Sequence, residues 1–220
     1  MGARPLFFKP LTGEIKTMKI FTNHRYALIT GVVLAVLLAV GLGSTVESGI
    51  VFNQLALARW VHIVSGVFWI GLLYYFNAVQ TPGLADAAAD KGGPGGAGVN
   101  KYIAPRALFW FRWAALATWL AGAWLLGANF VPAFTLGATI DGGSFYHLKI
   151  GIGAWLGTIM LFNVWGLIWP NQKKILGIKP ASDEEKAKAR KVALYASRTN
   201  FILSFPMLLC MAGSFHGLPF

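Results

Sequence analysis

Apolar residues run almost unbroken through five stretches: Tyr26–Val46, Leu57–Val79, Leu108–Phe130, Tyr146–Trp169 and Val192–Phe215. Each reaches the roughly 20 residues needed to cross a hydrocarbon core of ~30 Å. In lipid the backbone must satisfy its own hydrogen bonds, so runs of this length predict helices. The ~10-residue alternation of a membrane β-barrel is a different pattern. The expected fold is all-α: a polytopic membrane protein with five transmembrane helices. Spans two to five form a four-helix bundle core, and span one is a peripheral N-terminal helix.

The breaks between the runs carry their own signals. Residues 1–24 hold Pro5, Pro10 and scattered lysines with no sustained period, and read as a cytoplasmic tail ahead of a single membrane domain, 25–220. About 25 mixed residues before a full-length span do not resemble a cleavable signal peptide. Thr81-Pro82-Gly83 is expected to end the second helix, and the loop Leu84–Asn100, with Gly92-Gly93-Pro94-Gly95-Gly96 inside it, to form a flexible cytoplasmic connector. Asp141-Gly142-Gly143 predicts a turn, Asp183-Glu184-Glu185 starts a charged helix feeding the last span, and Pro206 is expected to kink that span. Gly153 and Gly157, four apart, allow a neighbouring helix to approach closely or leave room for a flat ligand.

Composition agrees: 56% of residues are hydrophobic and 12% charged, with a mean hydropathy of +0.58. The net charge of +11 would suit nucleic acid, but its distribution points to topology instead. Basic residues crowd the N-terminal tail, the second loop and the fourth loop, whereas the first and third loops offer only Arg59 and Lys149 at span edges. By the positive-inside rule this predicts a bacterial inner-membrane protein with its N-terminus cytoplasmic and its C-terminus periplasmic, attracted to anionic membrane lipids and not to nucleic acid. The single cysteine, Cys210, lies within the last span, so no disulfide framework is expected. All eight carboxylates fall in tails or loops, which disfavours a proton-coupled pump and a two-carboxylate metal centre.

Histidine is the candidate chemistry. His62 stands inside the second span, where an imidazole is costly without a partner and marks a functional site by default. With the topology above, His62, His147 and His216 all come to the outer ends of their spans. Two neutral imidazoles at similar depth on facing helices can hold haem b from both sides; three can hold copper or zinc. Arg59 and Lys149 would then suit a propionate or an anionic substrate. The plainer reading makes each histidine an interfacial residue bonded to water or backbone.

Trp60-Val61-His62 with Trp69-Ile70-Gly71, Trp110-Phe111-Arg112-Trp113, and the run Asn163-x-Trp165-Gly166-x-Ile168-Trp169-Pro170-Asn171-Gln172-Lys173-Lys174 resemble the membrane domain of PuuD-type bacterial urate hydroxylases. Ser197-Arg198-x-Asn200, Pro206-Met207 and His216 extend the likeness, which covers about residues 56–217. The His-x-x-x-Gly-x-x-Trp and His-Leu-Lys patterns are more weakly similar to copper-resistance D proteins and HemJ protoporphyrinogen oxidases. The resemblance implies a membrane redox protein that passes electrons to a cytochrome c. Thr199 stands where the family pattern leads one to expect histidine, the spans are fewer, and the sequence stops at Phe220 ahead of any cytochrome domain. The expectation is therefore a haem- or metal-binding redox subunit using a separate periplasmic cytochrome c or partner subunits. The alternative is a non-catalytic accessory subunit stabilising a larger membrane protein complex; among partners, further copies of the chain in a homo-oligomer are also expected.

Overall fold

The computed structural model describes residues 19–44 and 51–219, and the expectation for the tail before residue 19 lies outside them. The described residues are all-α. Five helical stretches are long and apolar enough to cross a membrane: His24–Gly43, Gln54–Ala89, Val99–Phe134, Phe145–Ile175 and Asp183–His216. The chain is thus an integral membrane protein with the span number its hydropathy predicts. It divides after Asn53 into two compact units.

The first unit contains one helical turn, Lys19–Thr22, and helix α1, His24–Gly43. Asn23 caps α1 by accepting from the backbone N–H of Arg25 at 3.0 Å. The helix is apolar around its whole circumference and buries none of its residues, the condition of a helix solvated by lipid.

The second unit holds four spans. Helix α2, Gln54–Tyr74, passes through a π-helical turn, Tyr75–Gln80, into α3, Thr81–Ala89. A π turn at Val99–Ile103 leads into α4, Ala104–Leu126, and the short α5, Phe130–Phe134, follows in the next loop. Helix α6, Phe145–Phe162, runs through a third π turn, Asn163–Ile168, into α7, Trp169–Ile175. Helix α8, Asp183–His216, is continuous over 34 residues and contains Pro206. Its start is a capping box: Ser182 Oγ accepts from the Glu185 N–H at 3.1 Å, and Glu185 Oε2 accepts from the Ser182 N–H at 2.9 Å.

The spans pair most extensively as α2 with α4 and α6 with α8, and the pairs close around Trp69, Leu73, Phe111, Ala115, Met160 and Val164, each at most 2% exposed. Small residues set the spacing. A Cβ on Gly153 would sit 3.2 Å from Cys210 Cβ, so this glycine lets α6 approach α8; Gly157 has no such neighbour within 4 Å and does not share the role. Gly142 and Gly143 take φ of 77° and 75°, forming the turn expected there.

Two sequence expectations are corrected. The second helix does not end at Thr81-Pro82-Gly83, and much of the connector after it is helical, because the π turn accommodates the proline. A proline lacks an N–H and its ring collides with the carbonyl four residues back. The residue before each of Pro82, Pro105 and Pro170 bonds five back instead of four: Thr81 N–H to Phe76 O, Ala104 N–H to Val99 O, Trp169 N–H to Val164 O. The widened turn carries the obstructed carbonyl away from the ring, and the proline starts the next segment where no donor is required.

Candidate functional site

His62 lies on the α2 face turned toward α4. Its Nδ1 is 2.8 Å from the carbonyl oxygen of Thr118, and the ring rests on Gly122, where an added Cβ would come within 2.9 Å of Cε1. Thr118 turns its hydroxyl back onto Ala114 O at 2.7 Å, so the group it presents to His62 is its carbonyl. A carbonyl can only accept, so Nδ1 carries the proton and the lone pair resides on Nε2. This is the way ligating histidines are oriented, by a backbone carbonyl on the far ring nitrogen. Seven residues along, on the same helical face, Trp69 Nε1 is a buried donor without a hydrogen-bond partner among the described residues.

The other outer histidines are placed differently. His147 sits in the first turn of α6 with both ring nitrogens engaged, Nδ1 with Ser144 Oγ at 2.8 Å and Nε2 with Asn129 Oδ1 at 3.0 Å. It fastens the loop holding α5 to the start of α6. His216 is exposed at the end of α8. Lys149 Nζ donates to Gly213 O at 2.8 Å, tying α6 to α8, and Arg59 is exposed on α2. The structure therefore gives each of the three imidazoles its own surroundings. Among the described residues no three His, Cys, Asp or Glu side chains group as a metal site. A copper or zinc centre built from all three does not fit this arrangement, and His147, with both ring nitrogens engaged, is not set to pair with His62 as a second axial ligand. Of His62 and His147, only His62 keeps a ring nitrogen outside these hydrogen bonds, and the unpartnered Trp69 indole lies two turns along the same helix.

The denser polar cluster lies at the other end of the bundle. Asn77, Asn163, Asn200 and Ser204 are buried, at 3%, 8%, 0% and 0% exposure. Ser197, Asn200 and Ser204 recur at helical spacing along one face of α8 and meet partners from both sides. Asn77 Nδ2 donates to Ser197 Oγ at 2.9 Å. Asn163 Nδ2 donates to Asn200 Oδ1 at 2.8 Å, while Asn200 Nδ2 donates to Met160 O at 2.9 Å. Ser204 Oγ is 3.1 Å from Tyr74 OH. The first π turn has a direct consequence here. Asn77 O would be claimed by Thr81 in an α-helix; released, it accepts from Arg198 at 3.1 Å. The Arg112 guanidinium lies 3.8 Å from the Trp169 ring centre, and the Arg112 carbonyl accepts from Trp165 Nε1 at 3.2 Å.

The spacing of histidines did not reveal this cluster. The signal was present nonetheless: asparagines at 77, 163 and 200 within apolar runs carry the same desolvation cost that singled out His62.

No curated protein and no solved structure matches the chain. His62 and Arg59 lie ahead of the stretch for which a relationship is found, whereas Asn163, Trp165, Arg198 and Asn200 lie within it. Residues 130–220, comprising α5 to α8, match the urate oxidase N-terminal family model, and over that stretch the chain is similar to that family.

Proposed function

We propose that the protein is an integral membrane redox subunit holding one group, haem b in the first instance, through His62 Nε2. The observation that supports this is the Nδ1 bond to Thr118 O, which fixes the tautomer and aim of an imidazole inside a span. When bound, the haem would supply one-electron chemistry. The chain supplies orientation of the ligand through Thr118, close α2–α4 approach at Gly122, and a donor at Trp69 Nε1. By the distribution of basic loops the His62 end faces the periplasm, where a separate cytochrome c or partner subunit takes the electrons.

The absorption spectrum of protein purified from membranes, with a pyridine haemochrome assay, tests this. A Soret band is expected in the wild type and in His147→Ala and His216→Ala, and it should be lost in His62→Ala. Wild-type protein with neither a Soret band nor bound copper ends the proposal.

A second reading has its own support. The three outer imidazoles do not group, and α1 presents apolar side chains on every face. An accessory subunit that stabilises a larger membrane complex needs no more than that. Purification in a gentle detergent separates the readings, because a chain that runs alone as a monomer speaks against the second.

A further inference from the structure

All four spans of the second unit extend past their apolar cores at the same end, where α3, α7, the π turn before α4 and the start of α8 enclose a cavity of about 790 Å³. It begins at Phe76, fourteen residues beyond His62 on the same helix. At 1.5 Å per residue that is about 21 Å, so this site stands apart from the His62 proposal and does not rest on it.

The floor is apolar, formed by Phe76, Leu108, Phe111 and Ile168. Two cations stand on the wall at its solvent-exposed rim, Arg190 and Lys101, the latter 5.3 Å from the Tyr102 ring centre, and among the described residues no carboxylate lines it. Among the described residues neither cation enters a salt bridge; the ion pairs of this end are Lys174–Glu185 and Lys186–Asp183. Thr81, Asn100, Gln172 and Ser197 add neutral polar groups. Ser197 Oγ accepts from Asn77 Nδ2 at 2.9 Å, which leaves its own hydrogen free to be given to the cavity. Against this excess of donors stands one orphaned acceptor: Gln80 Oε1, on the same wall, is buried with no hydrogen-bond partner among the described residues. All three π turns contribute lining residues, Phe76 and Gln80 from the first, Asn100 and Lys101 from the second, Ile168 from the third. Such turns concentrate at functional sites because the extra residue re-aims side chains.

We infer that this cavity binds a phosphate-bearing ligand that also carries an N–H or O–H donor. The phosphate meets Lys101 and Arg190, and the donor meets Gln80 Oε1 once that amide turns from its buried position into the cavity. Two cations, two hydroxyls and two amides exceed what the two oxygens of a carboxylate can accept, whereas a phosphate presents more acceptor oxygens to donors arriving from separate elements. The same chemistry is found in a phosphatidylethanolamine headgroup and in a free phosphomonoester, and the position at the end of the spans is open to both.

The test uses the full chain, stripped of lipid in detergent, with binding read by calorimetry and by thermal shift. The soluble arm compares phosphoethanolamine, which has the donor, with methyl phosphate, which lacks it. The lipid arm uses nanodiscs of phosphatidylcholine with and without phosphatidylethanolamine, read by native mass spectrometry for retained lipid. Phosphoethanolamine is expected to bind at least tenfold more tightly than methyl phosphate. The double variant Lys101→Gln/Arg190→Gln should lose at least tenfold for either soluble probe. Gln80→Leu, which removes only the acceptor, should bring the two probes to equal affinity while the protein remains folded. Retention of phosphatidylethanolamine with no soluble binding assigns the site to a headgroup; soluble binding without lipid retention assigns it to a free ligand. Absence of both, or affinities unchanged in the double variant and in Gln80→Leu, overturns the inference.

Discussion

The Asn163–Asn200 contact gives the most demanding stability prediction. Asn200 is fully buried and uses both ends of its amide, accepting from Asn163 at 2.8 Å and donating to Met160 O at 2.9 Å. Replacing it by leucine keeps the branching and the number of heavy atoms but removes both interhelical bonds. Such bonds average ~0.6 kcal/mol in membranes, with a maximum near ~1.7, so their direct loss amounts to about 1 kcal/mol. The larger penalty is what remains: the buried Asn163 amide loses its partner, which costs roughly 1–3 kcal/mol. Asn200→Leu should therefore destabilise by about 2–4 kcal/mol. Asn163→Leu should cost less, because Asn200 keeps its bond to Met160 O. In the double variant no amide is stranded, and the loss should fall short of the sum of the singles by about 1–2 kcal/mol. Steric trapping in bicelles measures all four corners of this cycle. Strict additivity, with a coupling below ~0.3 kcal/mol, would falsify the picture of a buried amide pair locking α6 to α8.

Other consequences are shorter to state. Gly122→Ala places a methyl against the His62 ring and should break the 2.8 Å bond to Thr118 O, costing about 1–3 kcal/mol in a thermal scan; an unchanged melting temperature contradicts the α2–α4 packing described. Gly151→Ala would put its methyl on the carbonyl oxygen of Ala133, backbone that cannot yield, so the cost should reach about 3 kcal/mol and exceed that of Gly157→Ala, which meets open space. Arg198→Ala strands the Asn77 carbonyl and should cost about 1–3 kcal/mol; in a Pro82→Ala background, where an α turn can reclaim that carbonyl, the same change should cost measurably less. Ser182→Ala removes the capping box of α8 and should lower stability by about 1 kcal/mol, with the effect confined by hydrogen exchange to the first turns of that helix.

Much of the architecture could be read directly from hydropathy, because a membrane span is a long-range average that single residues rarely disturb. Helix direction also follows from the order of the spans, and predicts which end of each span a residue occupies. Neighbourhood could not. His62, His147 and His216 are expected at one membrane face, yet azimuth around each helix decides what an imidazole touches, and here His62 turns to Thr118 while His147 turns to Ser144 and Asn129. Hydrogen-bond partners supplied by backbone carbonyls leave no mark in the sequence. Likewise Asn77 beside Tyr74 and Tyr75 reads as part of an interfacial belt, and only the fold reveals Ser197 and Arg198 opposite it.

The π turns bear on how such a chain can change over time. Each houses one residue more than the α turn it replaces, so everything downstream is swung by about 100° around the axis. A one-residue deletion between Tyr75 and Gln80, coupled with loss of Pro82, would swing α3 back and withdraw Leu84, Ala85 and Ala88 from the cavity they wall while sparing the span above. Insertions and deletions at these three points are thus a mild means of reshaping one end of the bundle independently of its transmembrane body.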